Sequence, residues 1–110
     1  MGLWLICDID VEYWRPAFPF AAIIANDYQE LEARRTELFP MIVENNLQDN
    51  HHIRHTIDEK SFRAEFDERL GAMVWKYNGT ITYGETVNPN VVYDWCVVEI
   101  DCIEAKSEHA

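Results

Sequence analysis

Three histidines lie close together in His51-His52-x-x-His55, with Asp49 and Asp58 on either side. Clustered imidazoles bind zinc or nickel, and histidine also serves as a general base. His51 and His55 would share a face on a helix or on a strand. The zinc-protease pattern needs a glutamate between its two histidines, and none stands here. The rival reading is a set of exposed loop histidines. The carboxylates offer a second chemistry. Asp8 and Asp10, or Glu99 and Asp101, have the types of an acid–base pair such as glycosidases use, although 110 residues leave little cleft for a sugar. They also suit a metal-binding cluster.

Cys7, Cys96 and Cys102 are the three cysteines. A thiol nucleophile needs a positive environment to ionise, and these three lie in acidic, apolar segments. An odd, sparse count makes no disulfide framework. Cys96 and Cys102, on one extended strand, would be roughly 20 Å apart, beyond bonding reach. Cys7 reaches one of them only if the two terminal strands are neighbours. The expected state is three small, reduced, buried side chains. The four glycines form no phosphate-binding loop.

These side chains need elements to hold them. Residues 3–14 alternate. Leu3, Leu5, Cys7, Ile9, Val11 and Tyr13 take one side, and Trp4, Ile6, Asp8, Asp10, Glu12 and Trp14 take the other. Period two over twelve residues predicts a strand with one apolar face. Residues 15–19 break it, and residues 20–25 read as a short strand or as the opening turns of the following helix, with Ile23-Ile24 favouring the strand. Residues 27–46 read as a helix capped by Asp27, with Glu30 at capping-box spacing and Pro40 kinking or splitting it. His51 to Ile57 is a strand or a connector. A second helix is expected over residues 58–70, where Phe62, Phe66 and Leu70 form a core stripe and Gly71 a stop. Asn78-Gly79 between aromatic and β-branched runs predicts a hairpin turn. Asn88-Pro89-Asn90 predicts another, before a long strand over residues 91–103. The expectation is a single α+β domain spanning residues 1–110. It has a mostly antiparallel sheet of four to six strands with two helices packed on one face.

Composition narrows the function. Hydrophobic residues make up 48% of the chain and aromatics 13%, which excludes an intrinsically disordered tail. Twenty acids against nine bases give a formal charge of −11. Direct nucleic-acid binding and binding to an anionic membrane both need clustered Lys and Arg. The longest apolar stretch, residues 18–25, is too short to span a bilayer. Asp8 and Asp10 interrupt any secretory leader, so a cytoplasmic protein is expected.

The charge is unevenly placed. Residues 1–14 and 77–105 hold eight of the excess acids and no Lys or Arg, whereas residues 15–76 are nearly balanced. If the two terminal strands are neighbours, Asp8, Asp10, Glu12, Glu99 and Asp101 would form one acidic sheet face. Trp4, Trp14, Tyr93 and Trp95 would edge it, with Asp94 nearby. Such a face is either solvated surface or a site for a basic protein, with aromatics as anchors and charge as the steering force. The partner-binding set expected is Asp8, Asp10, Glu12, Trp14, Asp94, Trp95, Glu99 and Asp101, with no cofactor, metal or catalytic residue. The function this pattern fits is a small acidic inhibitor that occludes a basic protein, such as an immunity protein or antitoxin against a bacterial nuclease toxin. The alternatives are a phage-type nucleic-acid mimic that blocks a DNA-binding host complex, and a small metal-dependent enzyme built on His51, His52 and His55.

Overall fold

A computed structural model describes residues 2–46 and 53–100 of the chain, without the side chains of residues 45 and 46. Its elements are β1 (Gly2–Asp10), β2 (Arg15–Ala25), α1 (Tyr28–Ala33), α2 (Arg35–Asn46), β3 (Ile53–Asp67), β4 (Ala72–Tyr83) and β5 (Thr86–Ile100). The strands form one antiparallel sheet in the order β2-β1-β5-β4-β3. The fold is α+β, and the terminal strands β1 and β5 are neighbours. Among the described residues no helix is long and apolar enough to cross a membrane.

The sheet has an inner face, covered by the helices, and an outer face. Trp4 and Ile6 of β1 point inward with Ile23 of β2, Trp75 and Tyr77 of β4, and Trp95 and Val97 of β5. Leu31 of α1 and Ile42 of α2 complete this core, and both are fully buried. The alternation expected in the first strand is real, but its polarity is reversed. The side carrying Trp4 and Ile6 is the one the helices cover, because the indoles of Trp4, Trp75 and Trp95 and the aliphatics beside them bury more apolar area there than Leu3 and Leu5 would.

Asp27 does cap the first helix: its carboxylate accepts the Glu30 backbone N–H at 2.8 Å. The long helix divides at Arg34, not at Pro40, which sits inside α2. The break expected at residues 15–19 lies instead at residues 11–14, and Pro16 and Pro19 run within β2. Proline is tolerated there because β2 is an edge strand, and register shifts after Ile6 and after Cys7 accommodate it.

The helix expected over residues 58–70 is a correction. Residues 58–67 belong to β3, the other edge strand, and residues 68–70 to the turn that follows it. Between the pairs Asp58↔Asn78 and Arg63↔Lys76, β3 carries three more residues than β4. An odd insertion flips the parity. Ile53, His55 and Ile57 face inward before it, and Phe62, Ala64 and Phe66 face inward after it. A broken period of two therefore resembled a helical stripe. The bulge also brings Glu59 to Arg35 of α2, at 2.8 Å, while the Arg35 guanidinium lies 3.6 Å from the Phe62 ring centroid.

Asn78-Gly79 is not a turn either; β4 runs straight through it. The hairpin turns at Gly84-Glu85, between the paired residues Tyr83 and Thr86, where Gly84 has φ +61°. A glycine at the first of two central positions supplies the positive φ of a type II′ turn. Asn88-Pro89-Asn90 lies inside β5 beside a register shift, with Asn90 at φ +66°. The residue-91 start expected for the last strand moves back to Thr86.

On the outer face, Cys7, Cys96 and Val74 are buried although no helix lies there. The β1–β2 turn reaches across this face. The Trp14 indole N–H donates to both Asp67 carboxylate oxygens, at 3.2 and 3.3 Å. Asp67 ends β3, and β5 and β4 lie between it and β1. The hairpin tip must fold back across the outer face to make this bond. Asp67 also accepts the Leu70 N–H at 2.8 Å.

The Leu70 N–H is the main reason the Asp67 carboxyl is held below its ordinary value; partial burial opposes the shift and the Trp14 indole adds to it. A lowered carboxyl stabilises the fold above its unfolded value of about 3.9, and the contribution is lost as the pH falls through the lower folded value. Acidification below about pH 4 is therefore expected to release Trp14. The Trp14 indole N–H resonance should move in that range in the native chain, and the movement should be absent in Asp67→Asn.

Candidate partner-binding surface

Of the eight residues expected to contact a partner, the seven that are described do not share one face. Asp8 is exposed on the inner side of β1, beyond Ile6. Asp10 caps its own turn, accepting the Glu12 and Tyr13 N–H groups at 3.0 and 3.3 Å, and pairs with Arg15 at 3.7 Å. Glu12 is exposed in that turn. Trp14 is turned to the outer face and held by Asp67. Asp94 is exposed on the outer face, opposite Lys76 in register. Trp95 is 1% exposed and packs against Phe20 and Tyr77, with ring centroids 5.5 and 4.8 Å away. Asp101 lies outside the described residues.

Two members of the proposed surface do meet. Trp4 and Glu99 are opposed in the β1–β5 register, on the inner side. A β-carbon added to Gly2 would lie 2.7 Å from Glu99 Oε2 and 3.3 Å from Trp4 Nε1, so the carboxylate sits against the indole edge at the Gly2 backbone. Trp4 Nε1 itself donates to the Ala25 carbonyl at 3.4 Å. Beside them opens a cavity of about 320 Å³. Met73 and Val97 lie at its floor. Trp4 and Tyr28 line one side, Phe66 of β3 the other, and among the described residues Glu99 is the only charged one in its lining. The Trp4 and Tyr28 rings are 6.0 Å apart and tilted by 58°. Phe66 is 56% exposed.

Tyr28 is fixed by the core. Its hydroxyl accepts the Trp75 indole N–H at 2.8 Å and donates to Glu32 at 3.0 Å. Burial, opposed by the Trp75 bond, pushes its phenol up to about 12. Tyr28→Phe keeps the cavity wall but leaves the buried Trp75 N–H without this acceptor. A loss of about 1–3 kcal/mol is expected in denaturant melts.

The chemistry of this groove is that of a cation site. Aromatic faces attract an ammonium or guanidinium, and the aliphatic stem of Lys or Arg packs on the same apolar wall. Glu99 completes the charge. Composition and alternation pointed to Trp4 and Glu99. Phe66 was missed because it read as core, and nothing in the sequence marks Tyr28.

The histidine cluster is described only at His55, since His51 and His52 lie outside the described residues. His55 Nδ1 is 2.8 Å from the Tyr93 hydroxyl. Among the described residues no group of three His, Cys, Asp or Glu side chains is placed to hold a metal ion. No protein-family model matches this chain, and no curated protein or solved structure is similar enough to it to carry an argument.

Proposed function

We propose that this chain is a small acidic inhibitor that binds and occludes a basic protein, most simply an immunity protein or antitoxin that neutralises a nuclease toxin. The observation that carries the reading is the groove of Trp4, Tyr28, Phe66 and Glu99 in a chain of net charge −11. A nuclease holds phosphate with Lys and Arg. A carboxylate beside one exposed ring and two ring edges at the groove wall is the complementary receptor for such a side chain, because aromatic anchors supply affinity and opposite charge supplies on-rate. Among the described residues, five of the chain's nine bases are paired internally. Arg15, Arg34, Arg35, Arg63 and Lys76 are each paired with one of its own acids. Glu12, Glu85, Asp94 and Glu99 remain exposed around them.

The test is capture followed by inhibition. The immobilised chain and a Glu12→Gln, Asp94→Asn, Glu99→Gln variant are exposed to lysate at low salt. The native chain is expected to retain a basic protein that the variant releases, and the purified pair should show the captured protein's nuclease activity suppressed. Equal retention by both, or full activity in the complex, would count against the proposal.

A further inference from the structure

Cys7 and Cys96 are directly opposed in the antiparallel register of β1 and β5. Both are free thiols, with exposures of 3% and 0%. Opposed residues share a face, and their Cα atoms are about 4.5–5.5 Å apart. That separation lies inside the span of about 4.4–6.8 Å that a disulfide bridges. The pair occupies the last position at which β1 and β5 are paired. Beyond it β1 parts from β5 and pairs with β2 alone, and the β1–β2 tip folds back to make the Trp14–Asp67 bond. β1 is also the strand through which β2 joins the sheet, since β2 pairs with β1 alone.

We infer that Cys7 and Cys96 are a redox pair that closes to an intramolecular disulfide, stapling the β1–β2 hairpin to the β3–β4–β5 meander. A small-molecule disulfide is the oxidant. One cysteine thiolate attacks it, a mixed disulfide forms and one small thiol leaves. The second cysteine attacks the protein sulfur of that mixed disulfide, and the second small thiol leaves. Two protons and two electrons pass from the protein to the oxidant, and one S–S bond is exchanged for another.

The hairpin tip controls the rate. Burial raises both thiols above their ordinary value, with the Asp8 charge adding at Cys7 and the neighbouring Cys7 adding at Cys96. Little thiolate is exposed while the tip is closed. Opening the tip hydrates the pair and admits the oxidant, while β1 and β5 still hold the two sulfurs in register.

The experiment uses the full chain with Cys102→Ser, so that Cys7 and Cys96 are the thiols present. The folded protein is incubated with excess oxidised glutathione, quenched in acid, alkylated, digested and examined by mass spectrometry. The expected product is a peptide pair linked through Cys7 and Cys96, with the intact chain lighter by two hydrogens. Its thermal midpoint should rise by several degrees, and reduction should return it. Trp14→Phe removes the donor to Asp67 and should speed closure roughly tenfold, the shift in opening that loss of a hydrogen bond to a charged acceptor produces. Persistence of both free thiols in the two proteins, or accumulation of glutathione adducts that never close, would overturn the inference.

Discussion

Replacing Trp95 by alanine is expected to cost about 3–5 kcal/mol of folding stability. The side chain is 1% exposed and stands in β5, with β1 on one side and β4 on the other. It packs between Phe20 and Tyr77 and is paired in register with Trp75. Truncation leaves a void between the sheet and the helices that three rigid strands cannot close. Small domains have about 5–15 kcal/mol in total, so the variant should lose much of its margin. A urea melt reads the result as a lower midpoint at unchanged slope. Had Trp95 edged an exposed acidic face, the same change would leave the midpoint near that of the native chain.

Gly79→Ala is expected to be the next most damaging change, at about 1–3 kcal/mol. A β-carbon there would fall 2.5 Å from the Tyr93 ring and 2.6 Å from the Thr56 carbonyl oxygen. Tyr93 can rotate away, at the loss of its contact with His55. The Thr56 carbonyl cannot, because it belongs to β3, which is laddered to β4 on this stretch. The cost should therefore persist in Gly79→Ala, Tyr93→Ala, compared with Tyr93→Ala alone. Gly84 is the control. It has φ +61° and open space around its α-carbon, so an alanine there strains only the backbone. Chemical denaturation of the four variants separates the two causes.

The β1 strand, the second half of β2, the body of β5 and the Asp27 cap were legible because their signals are local. Alternation and capping chemistry need no knowledge of the partner strand. The errors arose where a strand carries an irregularity. Three extra residues in β3 reversed its parity, and Phe62 and Phe66, four apart, fit a helix as well as a strand. Asn78-Gly79 had the composition of a turn. Yet Met73, Trp75, Tyr77, Gly79, Ile81 and Tyr83 alternate without a break across it, and that longer pattern was the better guide. Two helices were expected and two are present, but both came from the one segment read as a single helix.

The site was half legible for a related reason. Alternation assigned Trp4, Trp95, Asp8 and Glu99 to one side, which is correct, but it could not say that helices cover that side. Which face is inner depends on where α1 and α2 return, and this is tertiary information. The covering helix leaves Glu99 at the sheet's end exposed while it buries Trp95 in the middle. The groove exists at that boundary, and it takes Tyr28 and Phe66 from elements whose approach the sequence does not encode locally.

The most direct measurement is the affinity of the chain for the proposed basic partner after single changes in and away from the groove. Phe66→Ala and Glu99→Gln leave the core untouched, so both variants should melt near the native chain. Each is expected to weaken binding by roughly tenfold or more, as anchor residues do, and Glu99→Gln should also flatten the salt dependence. Glu37→Gln, on the exposed side of α2, should leave binding within about twofold, as a remote exposed charge does. Unchanged affinity in both groove variants, with the loss falling on Glu37→Gln, would contradict the assignment of this groove as the partner site.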